Sequence, residues 1–169
     1  EWTTYVGGNK RDRITALDFN NGKVFCVGVT TSSNMPIASK SGAYNNSTFV
    51  GPLFTTSGDK DDGFIFQTNL SLGNTNEWLT YYGGNSYDYL NTCKFDSNGN
   101  FYVGGYSMST NLGVVASGSQ YSQNYNTAQQ AQITGGDVSD AIIMTFTNTS
   151  FALNWATYFG THLNTATTK

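Results

Sequence analysis

The sequence has few charged side chains. Charged residues make up 11% of the 169 residues, against roughly a quarter of an average soluble domain. The eight lysines and arginines form no long basic run, and the formal net charge is −3. Proteins that bind nucleic acid concentrate basic residues on one surface to neutralise phosphates. We therefore expect no nucleic-acid partner.

Long apolar runs are also missing. No stretch approaches the roughly 18 to 20 apolar residues that span a bilayer, and no basic segment followed by an apolar one opens the chain. We expect neither a membrane span nor an export signal within these residues. A targeting segment in a longer precursor stays an open alternative, because the chain opens inside a repeated phrase.

Side chains suited to catalysis are scarce. The chain has one histidine, His162, and two glutamates, Glu1 and Glu77. No Ser-His-Asp or Cys-His set can be assembled around His162, and a glycoside hydrolase would need two carboxylates in one cleft. The sequence predicts no catalytic residues and no enzymatic activity.

Only two cysteines are present, Cys26 and Cys93. When the chain is aligned with itself, Cys26 matches Val103 and Cys93 matches Leu17. Each cysteine thus stands where the other copy has an apolar residue, which predicts two small buried side chains. A disulfide between them is the alternative.

The most prominent feature of the sequence is a short motif that contains a tryptophan and occurs three times. "EWTTYVGG", "EWLTYYGG" and "NWATYFGT" place Trp2, Trp78 and Trp155 at spacings of 76 and 77 residues, and such a period is typical of repeat architectures. With 38% hydrophobic residues and little net charge, the chain is expected to fold. We divide it into repeat 1 (1–77), repeat 2 (78–154) and the start of a degenerate third repeat (155–169).

Each repeat reads as four strands. "ITALDF" and "KVFCVGV" flank Asn21-Gly22, and "LNTCKF" and "NFYVGGY" flank Asn98-Gly99, a dipeptide that favours a hairpin turn. "GFIFQTNL" and "AIIMTF" supply a third strand, and the tryptophan phrases a fourth. Both faces of "VFCVGV" and "GFIFQ" are apolar, which favours sheets covered on both sides, as in a propeller, over an open sandwich. We predict an all-β fold of four-stranded antiparallel propeller blades plus one extra terminal strand.

The order of these motifs resembles that of the bacterial β-propeller repeat family often called SBBP repeats. The resemblance covers about 160 residues. Repeat 1 contributes Ser41-Gly42-Ala43-Tyr44 and Asp62-Gly63-Phe64-Ile65. Repeat 2 carries the rest of the pattern on Trp78, Thr80, Tyr81, Gly83, Gly84, Asp88, Asp96, Gly99, Tyr102, Val103 and Gly105.

The resemblance implies a secreted or cell-surface module with a structural or adhesive role, often within a large multidomain protein. It implies no enzymatic activity and no fixed ligand residues. The third tryptophan copy departs from the pattern, because Thr161 replaces the second glycine and no aspartate follows at the expected distance.

Several residues recur at the same place in each repeat. A carboxylate at a turn accepts backbone N–H groups and fixes the corner, so we expect structural roles for the repeated aspartates rather than cation or sugar binding. The tryptophans are expected to pack between blades, with sugar stacking as the alternative. These repeated positions are Asp12, Asp88, Asp62, Asp140, Trp2, Trp78 and Trp155.

One acidic segment resembles part of a calcium loop. "DKDDG" places Asp59, Asp61 and Asp62 within four residues, and bound Ca²⁺ would relieve their mutual repulsion. The segment lacks the complete loop pattern with its closing glutamate. "DSNGN" at 96–100 is better explained as a hairpin turn. We expect no cofactor, with Ca²⁺ at "DKDDG" as the alternative.

Two long unlike segments, 31–60 and 108–138, separate the second and third strands of each repeat. Loops that diverge on a repeating scaffold are where binding specificity normally lies. Their neutral amides, hydroxyls and tyrosines suit a carbohydrate or a flat protein surface, although they can equally pad the rim or contact a neighbouring subunit. The candidate ligand-binding residues are Tyr44, Asn45, Phe49, Tyr121, Asn124 and Tyr125.

These observations favour a non-catalytic extracellular or cell-surface propeller module with a structural or adhesive role. Two blades cannot close a ring, and repeats need about three neighbours to bury a continuous core. The expected partners are therefore further blades of the same chain or neighbouring copies, within a larger or filament-forming surface protein. A carbohydrate-binding lectin that uses the long loops is the alternative, with glycans or surface proteins as its partners.

Overall fold

A computed structural model describes residues 3–50, 61–69, 76–113, 115 and 139–159 of the chain. Every regular element within these ranges is a β-strand. The same ranges contain no helix that is long and apolar enough to cross a membrane. The all-β prediction is therefore confirmed for this part of the chain.

The strands form two antiparallel sheets of four, and each sheet follows the order of the chain. The first sheet consists of β1 (Asp12–Asn20), β2 (Lys23–Thr30), β3 (Asp62–Asn69) and β4 (Asn76–Tyr82). The second consists of β5 (Asp88–Phe95), β6 (Phe101–Ser107), β7 (Asp140–Phe146) and β8 (Leu153–Phe159). Eight of the nine predicted strands are found among the described residues, in the predicted order.

The Asn-Gly dipeptides lie in hairpin turns, as predicted. Asn21 and Gly22 have φ values of 49° and 75°, which is the pair of positive angles that a two-residue turn requires. The second turn is longer, and the Asp96 carboxylate accepts the backbone N–H groups of Asn98 and Asn100, each at 2.9 Å. "DSNGN" is therefore a turn that its own aspartate closes.

The first hairpins of the two sheets match residue by residue. Leu17 pairs with Cys26 and Cys93 pairs with Val103, so the predicted equivalences of both cysteines are confirmed. Each first strand also has an irregularity at the same point, after Ile14 and after Leu90. The repeat is thus preserved in backbone register as well as in sequence.

The boundary between the sheets differs from the predicted repeat boundary. β4, which contains Trp78, pairs with β3 and completes the first sheet, whereas the sequence division starts the second repeat at Trp78. β8, which contains Trp155, likewise pairs with β7 and completes the second sheet. A strand belongs to the sheet that bonds its backbone, so the tryptophan phrase ends a unit.

The predicted extra strand is not found in the described residues. Those that follow Trp2, Thr3 to Val6, form no strand, and the Tyr5 side chain is fully exposed at 103%. The equivalent residue of the first sheet, Tyr81, is fully buried. The difference follows from pairing, since Tyr81 lies on a strand bonded to β3, whereas no described strand pairs with residues 3–6.

The two sheets pack face to face, with β5 lying across β1, β2 and β3. Phe25 of β2 lies at the centre of the contact. Its ring centroid is 4.8 Å from that of Phe95, 5.3 Å from that of Phe101 and 5.0 Å from that of Phe151. β2 and β3 are buried along most of their length, as their apolar sequences predicted.

The opposite face of the first sheet is covered in part by the segment that follows β2. The hydroxyl of Tyr81 donates to the Ser32 carbonyl at 2.8 Å and accepts the Met35 N–H at 3.0 Å. Phe49 packs against the Tyr81 ring with centroids 5.7 Å apart. This segment therefore folds back over the outer half of its own sheet.

Both cysteines are buried and free, so the prediction of small buried side chains is confirmed and the disulfide alternative is not. Burial raises the pKa of the Cys26 thiol to about 11. Burial, followed by the nearby Asp18 carboxylate, raises the pKa of Cys93 to about 12.

Candidate functional site

A polar cleft lies where the two sheets meet. It has a volume of about 190 Å³ and is lined by Arg11, Arg13, Val29, Asp61 and Tyr89. Arg11 and Arg13 flank the start of β1, Asp61 precedes β3, and Tyr89 belongs to β5. The stacking of the second sheet on the first therefore creates the cleft.

Asp61 connects the two walls of this cleft. Its side chain is buried, with 7% exposed, and Nη2 of the mostly exposed Arg11 lies 3.0 Å from its Oδ1. From the other sheet, the hydroxyl of Tyr89 donates to Oδ2 at 2.5 Å. The Asp61 carbonyl also accepts the Asp88 N–H at 2.9 Å. One residue thus ties both sheets together through its side chain and its backbone.

The tyrosine of the cleft is held in its protonated form. Burial, and then the hydrogen bond to the Asp61 carboxylate, raise the pKa of Tyr89. Its ring stacks on Tyr106, with centroids 4.6 Å apart and planes at 19°. Because Asp61 is already held by a guanidinium and a phenol, the groups that the cleft offers to a ligand are arginine donors beside an aromatic wall.

The calcium candidates are only partly within the described residues. Asp59 lies outside them. Asp61 is held by Arg11 and Tyr89, and the Asp62 carboxylate accepts the Val50 N–H at 2.9 Å. Among the described residues, no group of three His, Cys, Asp or Glu side chains is placed to hold a metal ion. The described part of "DKDDG" thus directs its carboxylates to protein donors.

The repeated aspartate of the first sheet closes a corner. Asp12 Oδ2 accepts the Gly8 N–H at 2.8 Å and the Ser32 hydroxyl at 3.1 Å. Its Oδ1 accepts the Thr30 hydroxyl at 2.5 Å. The carboxylate therefore connects the glycine turn before β1 to the end of β2.

Asp88 makes the same set of bonds in the second sheet. It accepts the Gly84 N–H at 2.7 Å and the hydroxyls of Ser107 and Ser109 at 2.5 and 2.7 Å. Burial raises the pKa of Asp88, although these three bonds act in the opposite direction. Every donor occupies the position that its counterpart has around Asp12. The two aspartates thus perform the same structural task.

The other repeated positions lie in or beside the strands. Asp62 and Asp140 open β3 and β7 and are buried. Trp78 is fully buried, its Nε1 donates to the Tyr44 carbonyl at 3.0 Å, and its ring stacks on Phe151 with centroids 5.6 Å apart. Trp155 is half-buried, and Trp2 lies outside the described residues.

Where the structure describes them, the loop residues predicted to bind a ligand make contacts within the protein. The Tyr44 ring lies 5.6 Å from Tyr82 and 6.3 Å from Phe146, so it bridges the two sheets. Asn45 accepts the Lys40 N–H at 3.0 Å within its own loop. Phe49 packs on Tyr81, as described above. The remaining candidates, Tyr121, Asn124 and Tyr125, lie outside the described residues.

The arginines and the tyrosine of the cleft are not among the residues predicted to form a site. At the positions of Arg11 and Arg13, the second sheet has Tyr87 and Tyr89. A difference at aligned positions of otherwise matching repeats was the available signal. Its meaning depends on the stacking of the sheets, which brings Tyr89 to Asp61.

Comparison with known proteins gives no further assignment. No protein-family model matches the chain, and no curated protein is significantly similar to it.

Proposed function

We propose that the chain is a non-catalytic structural or adhesive module of an extracellular or cell-surface protein, and that its two sheets are consecutive β-propeller blades. The observation that carries this proposal is that both sheets contain the same hydrogen-bond network around an equivalent aspartate. Asp12 and Asp88 make matching hydrogen bonds at matching corners. The residues that recur in both repeats are therefore those that fold each sheet and pack one sheet on the next.

The order of the strands supports a blade arrangement. Each sheet is a four-stranded meander that reads from one edge to the other in chain order, which is the form of a propeller blade. The first strand of the second sheet, β5, packs on the first three strands of the preceding sheet. This stacking of one sheet on the next supports the proposed blade arrangement.

The composition supports a location outside the cell. The few charges and the abundance of Asn, Ser, Thr and Tyr leave a surface of neutral polar groups, and the motif order resembles a family of secreted and surface proteins. The buried, unreactive thiols are compatible with an oxidising environment, since neither Cys26 nor Cys93 is accessible.

Protease treatment of intact cells tests the location. Antibodies raised against the 169-residue chain are used to follow the natural protein while intact cells are treated with a non-permeating protease, with a cytosolic enzyme as the control. We expect the antigen to disappear while the control persists. Loss of the antigen only after lysis would refute the surface location. An internal deletion of residues 12–159 from the natural protein should abolish surface assembly or adhesion.

Carbohydrate binding is a second candidate, and the cleft is the observation that favours it. Arg11, Arg13 and Tyr89 surround about 190 Å³, and guanidinium donors beside an aromatic ring suit sugar hydroxyls or acidic sugars. A glycan array tests this function. Specific signals should be lost in Arg13→Ala and retained in Lys94→Ala, which removes an exposed cation outside the cleft. An array without specific signals would exclude this function.

A further inference from the structure

Equivalent side chains of β1 and β5 differ greatly in exposure. Leu90 is 0% and Cys93 is 6% exposed, because β5 packs on the first sheet. Their counterparts in β1, Ile14 and Leu17, are 47% and 64% exposed. Phe19, the counterpart of the partly buried Phe95, is 55% exposed. We call Ile14, Leu17 and Phe19 the leading face.

The second sheet shows the complementary difference. In the first sheet, Phe25 and Ile65 receive β5 and are 1% and 0% exposed. Their counterparts, Tyr102 and Ile143, are 40% and 39% exposed. They line a mostly apolar groove of about 240 Å³ on the far side of the second sheet. We call the groove at Thr92, Lys94, Tyr102, Gly104 and Ile143 the trailing groove.

We propose that the leading face of one copy of this chain docks into the trailing groove of a second copy, head to tail. The contact would repeat the interface by which β5 already packs on the first sheet of the same chain. The inference rests on the proposed stacking of like units, and it names the partner and both surfaces. Because the two surfaces are different, the contact is heterologous and can continue into a closed ring or a filament.

The charges at the two surfaces are complementary. In the existing interface, Nζ of Lys94 on β5 lies 3.0 Å from Oδ1 of Asp18 on β1. Asp18 and Lys94 are themselves equivalent positions of the two sheets. Docking a second copy would bring Lys94 of the groove near Asp18 of that copy. Each of these residues keeps its partner within its own chain, so the contact brings opposite rather than like charges near each other. Two like charges at these positions would have opposed the contact.

Hydrogen-bonding groups are also repeated. In the existing interface, the Thr15 hydroxyl donates to the Leu90 carbonyl at 2.5 Å. The second sheet has Asn91 at the position of Thr15, and its side-chain amide is a donor that can serve the Ile14 carbonyl of a second copy. Asn91 is exposed. Both sheets thus carry a hydrogen-bond donor at this position, although the residue differs.

One position of the interface differs between the two sheets, and a substitution there should strengthen the proposed contact. A Cβ at Gly63 would lie 2.6 Å from Cγ of Leu90, so the existing interface depends on a glycine there. The second sheet has Ala141 at this position. Its methyl group faces the place that Ile14 of a second copy would occupy, and Ala141→Gly should therefore tighten the contact.

Sedimentation velocity over a range of concentrations tests the proposal on the full 169-residue chain. The wild type should associate beyond a dimer as the concentration rises. Leu17→Lys in the leading face and Ile143→Lys in the trailing groove should each weaken association at least tenfold, because each places a charge in an apolar contact. Tyr5→Lys changes an exposed aromatic residue outside both surfaces and should leave association unchanged. Circular dichroism confirms that each variant is folded.

A mixture of the two defective variants gives the sharpest result. The Leu17→Lys chain retains an intact groove, and the Ile143→Lys chain retains an intact leading face. A head-to-tail contact therefore predicts that the mixture forms a 1:1 dimer that grows no further. Association through a single self-complementary surface predicts no such dimer.

The proposal would be overturned if the wild type stays monomeric at every concentration. It would also be overturned if neither Leu17→Lys nor Ile143→Lys weakens association, or if the mixture of these two variants forms no dimer. A monomeric wild type would mean that another part of this chain or a different protein covers these surfaces. The surface location is tested separately by protease treatment of cells, so the two proposals can fail independently.

Discussion

The ring of Phe151 stacks on the indole of Trp78, with centroids 5.6 Å apart and planes at 22°. Phe151 belongs to the turn between β7 and β8, and Trp78 lies on β4, so the contact joins the outer parts of the two sheets. Phe151 has a φ of 60°, a left-handed conformation that costs energy for any residue with a side chain. Nζ of Lys40 also lies 4.7 Å from its ring centroid.

Phe151→Ala should destabilise the protein by about 3 kcal/mol, because it removes a large ring from the contact between the sheets. Phe151→Gly removes the same ring but also relieves the left-handed strain, so it should be about 1 kcal/mol more stable than the alanine variant. Urea denaturation followed by tryptophan fluorescence measures both. Equal stabilities of the two variants would show that the backbone at 151 is not strained.

Two adjacent glycines of β6 should respond very differently to alanine. A Cβ at Gly105 would lie 1.8 Å from the carbonyl oxygen of Tyr89, whereas a Cβ at Gly104 would lie 3.1 Å from the Thr92 methyl group. The carbonyl is fixed by strand pairing, so Gly105→Ala should cost at least about 3 kcal/mol or prevent folding. Gly104→Ala should change the stability by less than about 1 kcal/mol. Comparable losses measured by thermal denaturation would contradict the β5–β6 register.

Because of Glu77, the stability of the folded protein should depend on pH in the acidic range. Nζ of Lys23 lies 2.7 Å from Glu77 Oε2, and this hydrogen bond is the main cause that lowers the pKa of Glu77 below 4.5. A carboxylate whose pKa is lower in the folded than in the unfolded protein stabilises the fold at any pH above its pKa in the unfolded protein. This stabilisation is lost as the pH falls through its pKa in the folded protein.

Glu77→Gln should therefore be less stable than the wild type at pH 7, and the difference should shrink as the pH falls from about 5 to about 3. Urea midpoints of both proteins across this range measure the effect. Parallel curves for the two proteins would show that the ion pair contributes nothing.

The two thiols should be unreactive in the folded protein. Cys26 and Cys93 are 4% and 6% exposed, and burial raises the pKa of the first to about 11 and that of the second to about 12. The thiolate is the reactive species, so Ellman's reagent at pH 8 should label both cysteines only after denaturation. Rapid labelling of the native protein, or no labelling in denaturant without a reductant, would contradict this state.

The strands were predictable because their signals are local. β-branched and aromatic runs beside Asn-Gly locate the hairpins, and the two repeats align Asp12 with Asp88 in the sequence alone. The sequence division starts the second repeat at Trp78, whereas β4 bonds to β3 of the first sheet, because similarity between phrases does not reveal which neighbour a strand bonds.

The cleft was not predictable, because it depends on contacts between the sheets. Asp61 and Tyr89 are 28 residues apart, and only stacking brings them within hydrogen-bonding distance. Tyr44 shows the converse problem. Its polar, divergent loop suggested a ligand contact, yet the ring packs between Tyr82 and Phe146, and composition does not distinguish these uses of a tyrosine.

The short backbone pairings outside β4 and β8 determine how these molecules can aggregate. Ala38 exchanges two backbone hydrogen bonds with Leu79, and Val115 does the same with Ala156. Open strand edges recruit other chains into continuous cross-β ribbons, and these pairings occupy part of the outer edge of each sheet. Amyloid-type growth from those edges is thereby hindered, while the leading face and the trailing groove stay exposed. An assembly of this protein should therefore dissolve back into native subunits on dilution, without the irreversible seeding that amyloid shows.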